Sequence, residues 1–324
     1  MTSAMHKLRQ FLATAEPLAL VEVAATKGST PREKGAFMLV SRVAILGTIG
    51  GGQLEYMAID KARQMLGSST SPLWGGSTGE TGRGGGGKNH TPRTPAPDLL
   101  SDSPHKGGVS LTVPLGPEIG QCCGGSVNLS IRKVDEILAS DLVRTAETED
   151  AALPHLYIFG GGHVGHALAA SAALLPIKVV VVETRAGELE GMPEGVETRL
   201  TAVPEEVVRD APSGSAFTVL THDHALDFLI VAEALKRGGA AYVGMIGSKT
   251  KKATFRNWFL KTAAGTMEQF ARLVSPIGGE AVRDKRPEVI AALAAAEIMT
   301  ALAAYPLARE TAISADITAP PANP

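Results

Sequence analysis

The stretch "YIFGGGHVGHAL", residues 157–168, decides how the second half of this chain is read. A short apolar run enters three consecutive glycines, and an alanine-rich segment leaves them. The spacing Gly160-x-Gly162-x-x-Gly165 at a strand-to-helix junction permits a tight turn and lets backbone N–H groups approach a phosphate closely. The same glycines would also serve strand–helix packing with no ligand. Further along, "KVVVVET", "SAFTVLTH" and "AYVGMIG" are near-continuous apolar runs, the pattern of parallel strands covered on both faces. Helical stretches such as "ALDFLIVAEALKRGG" lie between them. Strands alternating with helices predict a Rossmann-like, doubly wound parallel-sheet domain.

The ends of these strands carry the polar residues. Glu183 closes the second strand, about where a ribose-binding carboxylate would lie, and Arg185 beside it would favour a 2′-phosphate. "THDHALD" supplies His222, Asp223, His224 and Asp227. A His-x-His pair with an aspartate suits a metal or proton transfer, and Asp223 equally suits a helix cap. "GMIGSKTKKATF" places Gly247, Ser248 and Lys249 at a third junction, fit for an anion. With Lys251 and Lys252 the same segment also reads as a solvated helix face. Ligands of open α/β sheets bind beyond the carboxyl ends of the strands, so three polar loops on one edge predict a pocket there.

The whole chain sets the bounds. Its 324 residues suggest two domains, here 1–150 and 151–324. A net charge of -2 and 4% aromatic residues offer neither a basic surface nor stacking platforms, which argues against a nucleic-acid partner. The sequence shows no uninterrupted apolar run of the roughly 18 residues that a membrane span needs. The only cysteines, Cys122 and Cys123, are adjacent. Their Cα atoms, about 3.8 Å apart, are closer than a disulfide prefers. Free thiols and a reducing cytoplasm are the expectation.

The first half reads as a mixed α+β domain. "LALVEVAAT", "GAFMLVS", "VSLTVPL" and "SVNLSIRKV" have strand character. "EYMAIDKARQML" has mostly helical spacing, with Tyr56, Met57, Ile59, Met65 and Leu66 as its apolar positions. Residues 67–108, dominated by Gly, Ser, Thr and Pro, read as a flexible insert. "GTIGGGQLEYMAI" sets Gly50, Gly51 and Gly52 before a helix, either an anion-binding concavity or a sharp turn. "KGSTPREKGAF" puts Ser29, Thr30 and Arg32 in a turn between strands. In "GQCCGG", backbone amides would stabilise a thiolate, and Gly124 and Gly125 leave room for a bulky neighbour. A soft metal or a sulfur-transfer partner suits such a site, and two small inert residues packed at a strand start suit it too.

Taken in order, "GSTPREKGAFMLV", "GTIGGGQLE", "LGPEIGQCCGG", "YIFGGGHVGHAL", "THDHALD" and "YVGMIGSKTKK" resemble the XdhC/CoxI family of xanthine dehydrogenase accessory proteins. The resemblance covers nearly the entire chain except residues 67–108, and "LGPEIGQCCGG" points to the xanthine dehydrogenase branch. It implies a non-catalytic protein that binds the molybdenum cofactor and holds it while a cysteine desulfurase installs the terminal sulfido ligand. Delivery to apo-xanthine dehydrogenase follows, and the resemblance is compatible with a homodimer, which no sequence pattern here demonstrates. By this resemblance Cys122 is the first candidate for the cofactor or sulfur contact, and for a contact to molybdenum, and Cys123 is second for the cofactor, with the glycine loops and strand-end residues above completing the candidate cofactor-binding set. Gln53 stands where many relatives have a cysteine, and Glu183-Thr184-Arg185 departs from the common aspartate, so any nucleotide at the Rossmann loop stays unidentified. The rival reading is an NAD(P)-dependent oxidoreductase that uses the glycine loop and Glu183, with His163 or His222 as acid/base.

Overall fold

A computed structural model describes residues 3–14, 16–67, 101–105, 108–117 and 124–318. Cys122 and Cys123 lie outside the described residues, as does most of the glycine-rich stretch from 67 to 108. The chain divides into two compact units, residues 4–147 and residues 148–324 with the first three residues. It is an α/β protein in which an antiparallel sheet belongs to the first unit and a parallel sheet to the second.

In the N-terminal unit, helix α1 (Ser3–Leu12) precedes strands β1 (Ala19–Lys27), β2 (Phe37–Val40) and β3 (Ile45–Gly47). Helix α2 (Gly52–Met65) follows, then β4 (Ser101–His105), β5 (Gly108–Pro114), β6 (Ser126–Lys133) and helix α3 (Glu136–Ala152). Among the described residues the sheet runs β3-β2-β1-β6-β5-β4, with every pairing antiparallel. The period-2 alternation of strands sends Val127, Leu129 and Ile131 of β6 to one face, where they meet α2. Leu20 and Leu39 face the other way, against Leu8 of α1 and Leu138 and Leu142 of α3.

Two expectations change here. The buried stripe of α2 is Leu54, Ala58 and Ala62, spaced four residues apart, while Tyr56 is 66% exposed. Small residues let the helix axis sit close to the sheet, so alanines hold the inward positions and the larger residues flank them. The second change concerns the insert, where residues 101–105 form β4 and pair with β5 from Ser101↔Thr112 to His105↔Gly108. "SDSPH" has no apolar alternation because β4 is an edge strand, and the edge is where Pro104, lacking an N–H, is tolerated.

The C-terminal unit builds its sheet from β7 (His155–Phe159), β8 (Lys178–Glu183), β9 (Glu197–Leu200), β10 (Ala216–Val219), β11 (Tyr242–Met245) and β12 (Leu273–Val274). All pairings are parallel, and the order β9-β8-β7-β10-β11-β12 is the 3-2-1-4-5-6 arrangement of a Rossmann domain. Helices α4 (His163–Ala172), α5 (Pro204–Asp210), α6 (His224–Lys236), α7 (Lys249–Lys261), α8 (Met267–Ala271) and α9 (Pro287–Thr318) complete it. Alternate side chains of each strand enter different cores. Tyr157, Phe159, Val180, Val182 and Phe217 pack toward α5, α6 and α7, while Leu156, Ile158, Val179 and Val181 pack toward α4 and α9. A fully buried large apolar side chain such as Phe217 contributes about 1.5–3 kcal/mol.

Pro287–Tyr305 of α9 has a mean hydropathy of 1.6 and the length to cross a membrane. In the structure its Ala291, Ala294, Ile298 and Leu302 are buried in the core shared with α4.

The first helix after β7 approaches the sheet through Gly165, where an added Cβ would lie 2.0 Å from the Gly160 carbonyl oxygen. Gly165→Ala is therefore expected to lower stability by about 2 kcal/mol or more, read as a lower urea midpoint. A wild-type midpoint for the variant would show that the contact has room to relax.

Candidate functional site

Three of the sequence motifs meet in the N-terminal unit. The turn after β1 carries Gly28, with φ +73, and Ser29, which forms an isolated parallel bridge with Gly124. A Cβ added to Gly125 would lie 2.3 Å from the Ser29 carbonyl oxygen and 2.6 Å from that of Lys27, so only glycine allows this approach. On the turn's other side, a Cβ on Gly50 would lie 2.5 Å from Cγ of Pro31. The "KGSTP" turn thus touches both the Gly50–Gly52 loop and the glycine pair that follows the cysteines. Leu115 N–H donates to the Gly125 carbonyl at 2.8 Å, and Gly124 N–H donates to that of Leu115 at 2.9 Å. These two bonds anchor both flanks of the segment that contains Cys122 and Cys123. Among the described residues, no atom lies within 4 Å of a Cβ added to Gly51 or Gly124.

The glycine loop before α2 holds an anion supplied by the chain. Glu55 Oε1 accepts the Thr48 hydroxyl and, at 2.9 Å, the Ile49 amide. Burial alone would raise the Glu55 pKa, but the bonds from Thr48 and the amides of Gly51, Ile49 and Gly50 outweigh it and hold the carboxyl below its ordinary range. The concavity expected at Gly50–Gly52 is therefore filled from within. The signal in the sequence is an acidic residue in the first turn of the helix that leaves the loop.

The second glycine loop repeats the device. Gly161 N–H donates to Glu183 Oε2 at 2.9 Å, while Thr184 N–H (2.8 Å) and Arg185 N–H (3.1 Å) donate to Oε1. The Thr184 hydroxyl and Arg185 Nε add bonds to Oε1 at 3.1 Å and 3.3 Å. Glu183 is only 4% exposed. Its burial raises the pKa, but the Gly161 amide, the Arg185 guanidinium and Thr184 bring it down to about 2. A carboxylate expected to face a ribose instead ties the glycine loop to the end of β8.

Beside this loop lies a cleft of about 590 Å³. Gly161, Gly162, His163 and His166 line it on the side of α4, and Glu188, Pro287 and Glu288 face them. His166 Nε2 lies 3.1 Å from the Glu188 carbonyl oxygen, to which it donates. His166 follows His163 by one helical turn, a periodicity that would have found it. Glu188 reaches the cleft only because one turn of 3-10 helix, Ala186–Leu189, folds back over the glycine loop.

The other two strand ends do not line this cleft. Asp223 Oδ1 accepts the Ala225 and Leu226 amides at 2.7 Å and 3.3 Å and so caps α6. His222 and His224 are exposed. Ser248 caps α7 by accepting the Lys251 amide at 3.2 Å, with Gly247 packed under the Lys251 side chain. Asp227 is fully buried, pairs with Lys251 and accepts the Thr221 amide at 3.1 Å. That pair draws the second and third loops together, which leaves only the first open to the cleft. Lys249 reaches Glu280 at 3.0 Å, and Lys252 donates to the Ser275 carbonyl at 3.1 Å. Among the described residues, no three His, Cys, Asp or Glu side chains are grouped to hold a metal ion.

Strand order, glycine loop and the antiparallel α+β unit define a two-domain protein with a Rossmann-type C-terminal part. The chain belongs to the XdhC and CoxI family: residues 156–298 match the XdhC Rossmann domain and residues 11–73 match the XdhC and CoxI family domain. It is 24% identical over 292 residues to the uncharacterized protein YqeB of Escherichia coli K12, a match covering 87% of this chain and 43% of that relative. The chain thus spans less than half the length of this curated relative. Among solved structures it is similar to a Bacillus halodurans chain described as a xanthine dehydrogenase, at 17% identity and a TM-score of 0.68. That likeness covers 94% of this chain and 96% of the other, and it shows a shared fold.

Because the Glu183 pKa falls from its ordinary 4.5 to about 2, the carboxylate stabilises the folded state above pH 4.5, and this contribution is lost as the pH falls toward 2. The stability difference between the wild type and Glu183→Gln, measured by urea unfolding, should be largest above pH 5 and shrink through that window. A difference constant from pH 2 to pH 6 would show that the native carboxylate is not selectively bound.

Proposed function

We propose that this protein is an accessory factor for a xanthine dehydrogenase. It binds the molybdenum cofactor, holds it during sulfuration by a cysteine desulfurase, and delivers it to the apo-enzyme. The observation that carries the reading is the meeting of the Gly28–Pro31 turn with Gly50 and with the Gly124–Gly125 pair, directly after Cys122 and Cys123. Membership of the XdhC and CoxI family supports it, as does the fold shared with a chain described as a xanthine dehydrogenase.

The residues present fit one end of the cofactor better than the other. Among the described residues, an atom added at Gly51 or Gly124 meets no neighbour beside the turn, which suits a bulky ligand. A thiolate is the soft donor that a molybdenum centre accepts. The amides of Ile49, Gly50 and Gly51 already hold Glu55, so they are not offered to the cofactor's phosphate. When bound, the cofactor supplies a molybdenum centre able to carry a terminal sulfido ligand. The chain's part is to position that centre through Cys122, keep it from water and release it to the partner. Cys123 has a secondary role in this reading. The cytoplasm is the matching compartment, since two adjacent free thiols need reducing conditions.

Anaerobic co-purification with released molybdenum cofactor tests this, read as molybdenum per chain. The wild type should retain cofactor close to one to one. Cys122→Ala should bind about tenfold more weakly or worse, and Cys123→Ala should remain near wild type. Normal retention and transfer by Cys122→Ala would remove the thiol from the mechanism, and no retention by the wild type would end the chaperone reading.

A further inference from the structure

The face of the second glycine loop that a dinucleotide would use is already contacted by the chain. In a Rossmann domain the pyrophosphate lies over the glycine loop, and the acidic residue ending the second strand hydrogen-bonds the ribose. Here a Cβ on Gly161 would lie 2.4 Å from the Glu188 carbonyl oxygen and 3.2 Å from the Glu188 Cβ, so the Glu188 backbone rests on the loop. The Gly161 amide is spent on Glu183, and both oxygens of Glu183 are engaged by protein donors.

Charge works in the same direction. The Glu188 carboxylate comes within 4.0 Å of a Cβ built on Gly162, beside the first turn of α4. A phosphate entering there would meet a second negative group where it needs a positive field. Arg185 spans the two carboxylates, 3.3 Å from Glu183 Oε2 and 3.1 Å from Glu188 Oε1, so its charge is already shared between them. His166 pins the Glu188 carbonyl at 3.1 Å from the helix side.

We propose that Arg185–Leu189 is a strap that takes the place of a dinucleotide on this loop, so that the C-terminal unit binds no NAD(P) there. The strap is an internal competitor: the Gly161 amide and the Arg185 guanidinium, donors a pyrophosphate would need, are bound to Glu183 and Glu188, and the Glu183 oxygens that would accept a ribose hydroxyl are taken by protein donors. The Rossmann topology then serves as a scaffold at this position, and the cleft lined by Gly162, His163, His166 and Glu288 beside the strap is left for a different ligand. This removes the basis of the oxidoreductase reading, which required a nicotinamide cofactor on Gly160, Gly162 and Gly165.

Two measurements on the full chain test it. Titration with NADH and with NADPH, followed by calorimetry and nicotinamide fluorescence, should show no saturable binding up to about 1 mM. Saturable one-to-one binding of either below that concentration overturns the proposal. In the second, amide hydrogen exchange compares the wild type with the Arg185→Ala/His166→Ala double variant, which removes the side-chain ties of Arg185 and His166 to the strap. Exchange over Ala186–Leu189 and at Gly161 should rise about tenfold or more while the sheet strands keep their protection. Unchanged protection over Ala186–Leu189 would show that these contacts do not hold the strap, and would overturn it as well. Neither readout involves molybdenum, so this proposal and the chaperone reading fail independently.

Discussion

A glycine loop frees backbone amides from helix and sheet, and those amides need an acceptor or must stay in water. Both loops of this protein meet that requirement with a carboxylate of the chain. Glu55 serves the loop before α2, and Glu183 serves the loop after β7. In each case burial opposes ionisation and the donors more than offset it. The loops are thereby preformed, and much of what surrounds them follows. The Gly50 loop packs against Pro31, and the Glu188 backbone rests on Gly161.

The consequences differ between the two units. In the N-terminal unit the filled loop acts as a buttress for the Gly28–Pro31 turn, which also meets the Gly124–Gly125 pair. In the C-terminal unit the filled loop sits where Rossmann domains commonly bind their ligand, and the strap adds a second layer. A glycine signature is therefore an ambiguous message. It reports amides in search of an anion without saying whether the anion is a ligand or a neighbour.

The parallel sheet was largely legible. Near-continuous apolar strands such as "KVVVVE" have to be buried on both faces, and helices alternating with them leave few topologies. The cap at Asp223 was also readable, because a short polar side chain before a helix bonds its first amides; Ser248, expected at an anion site, caps α7 in the same way. The inward face of α2 was harder. Alanines at 58 and 62 carry little hydrophobic signal, yet they hold the positions against the sheet. Strand β4 was illegible for a related reason: an edge strand is specified by its partner's hydrogen bonds, and "SDSPH" holds no alternation to announce it.

By itself the sequence determined the local grammar: which segments are strands, which junctions are tight, where thiols and carboxylates lie along the chain. Those properties depend on residues a few positions apart. Only the tertiary structure decided which distant groups share a space. Glu183 and Gly161 are 22 positions apart, Asp227 and Lys251 are 24 apart, and Ser29 and Gly124 come from different ends of the N-terminal unit. Whether a carboxylate faces a ligand or its own backbone depends on the packing that brings such groups within 3 Å. Spacing along one segment does not encode that packing.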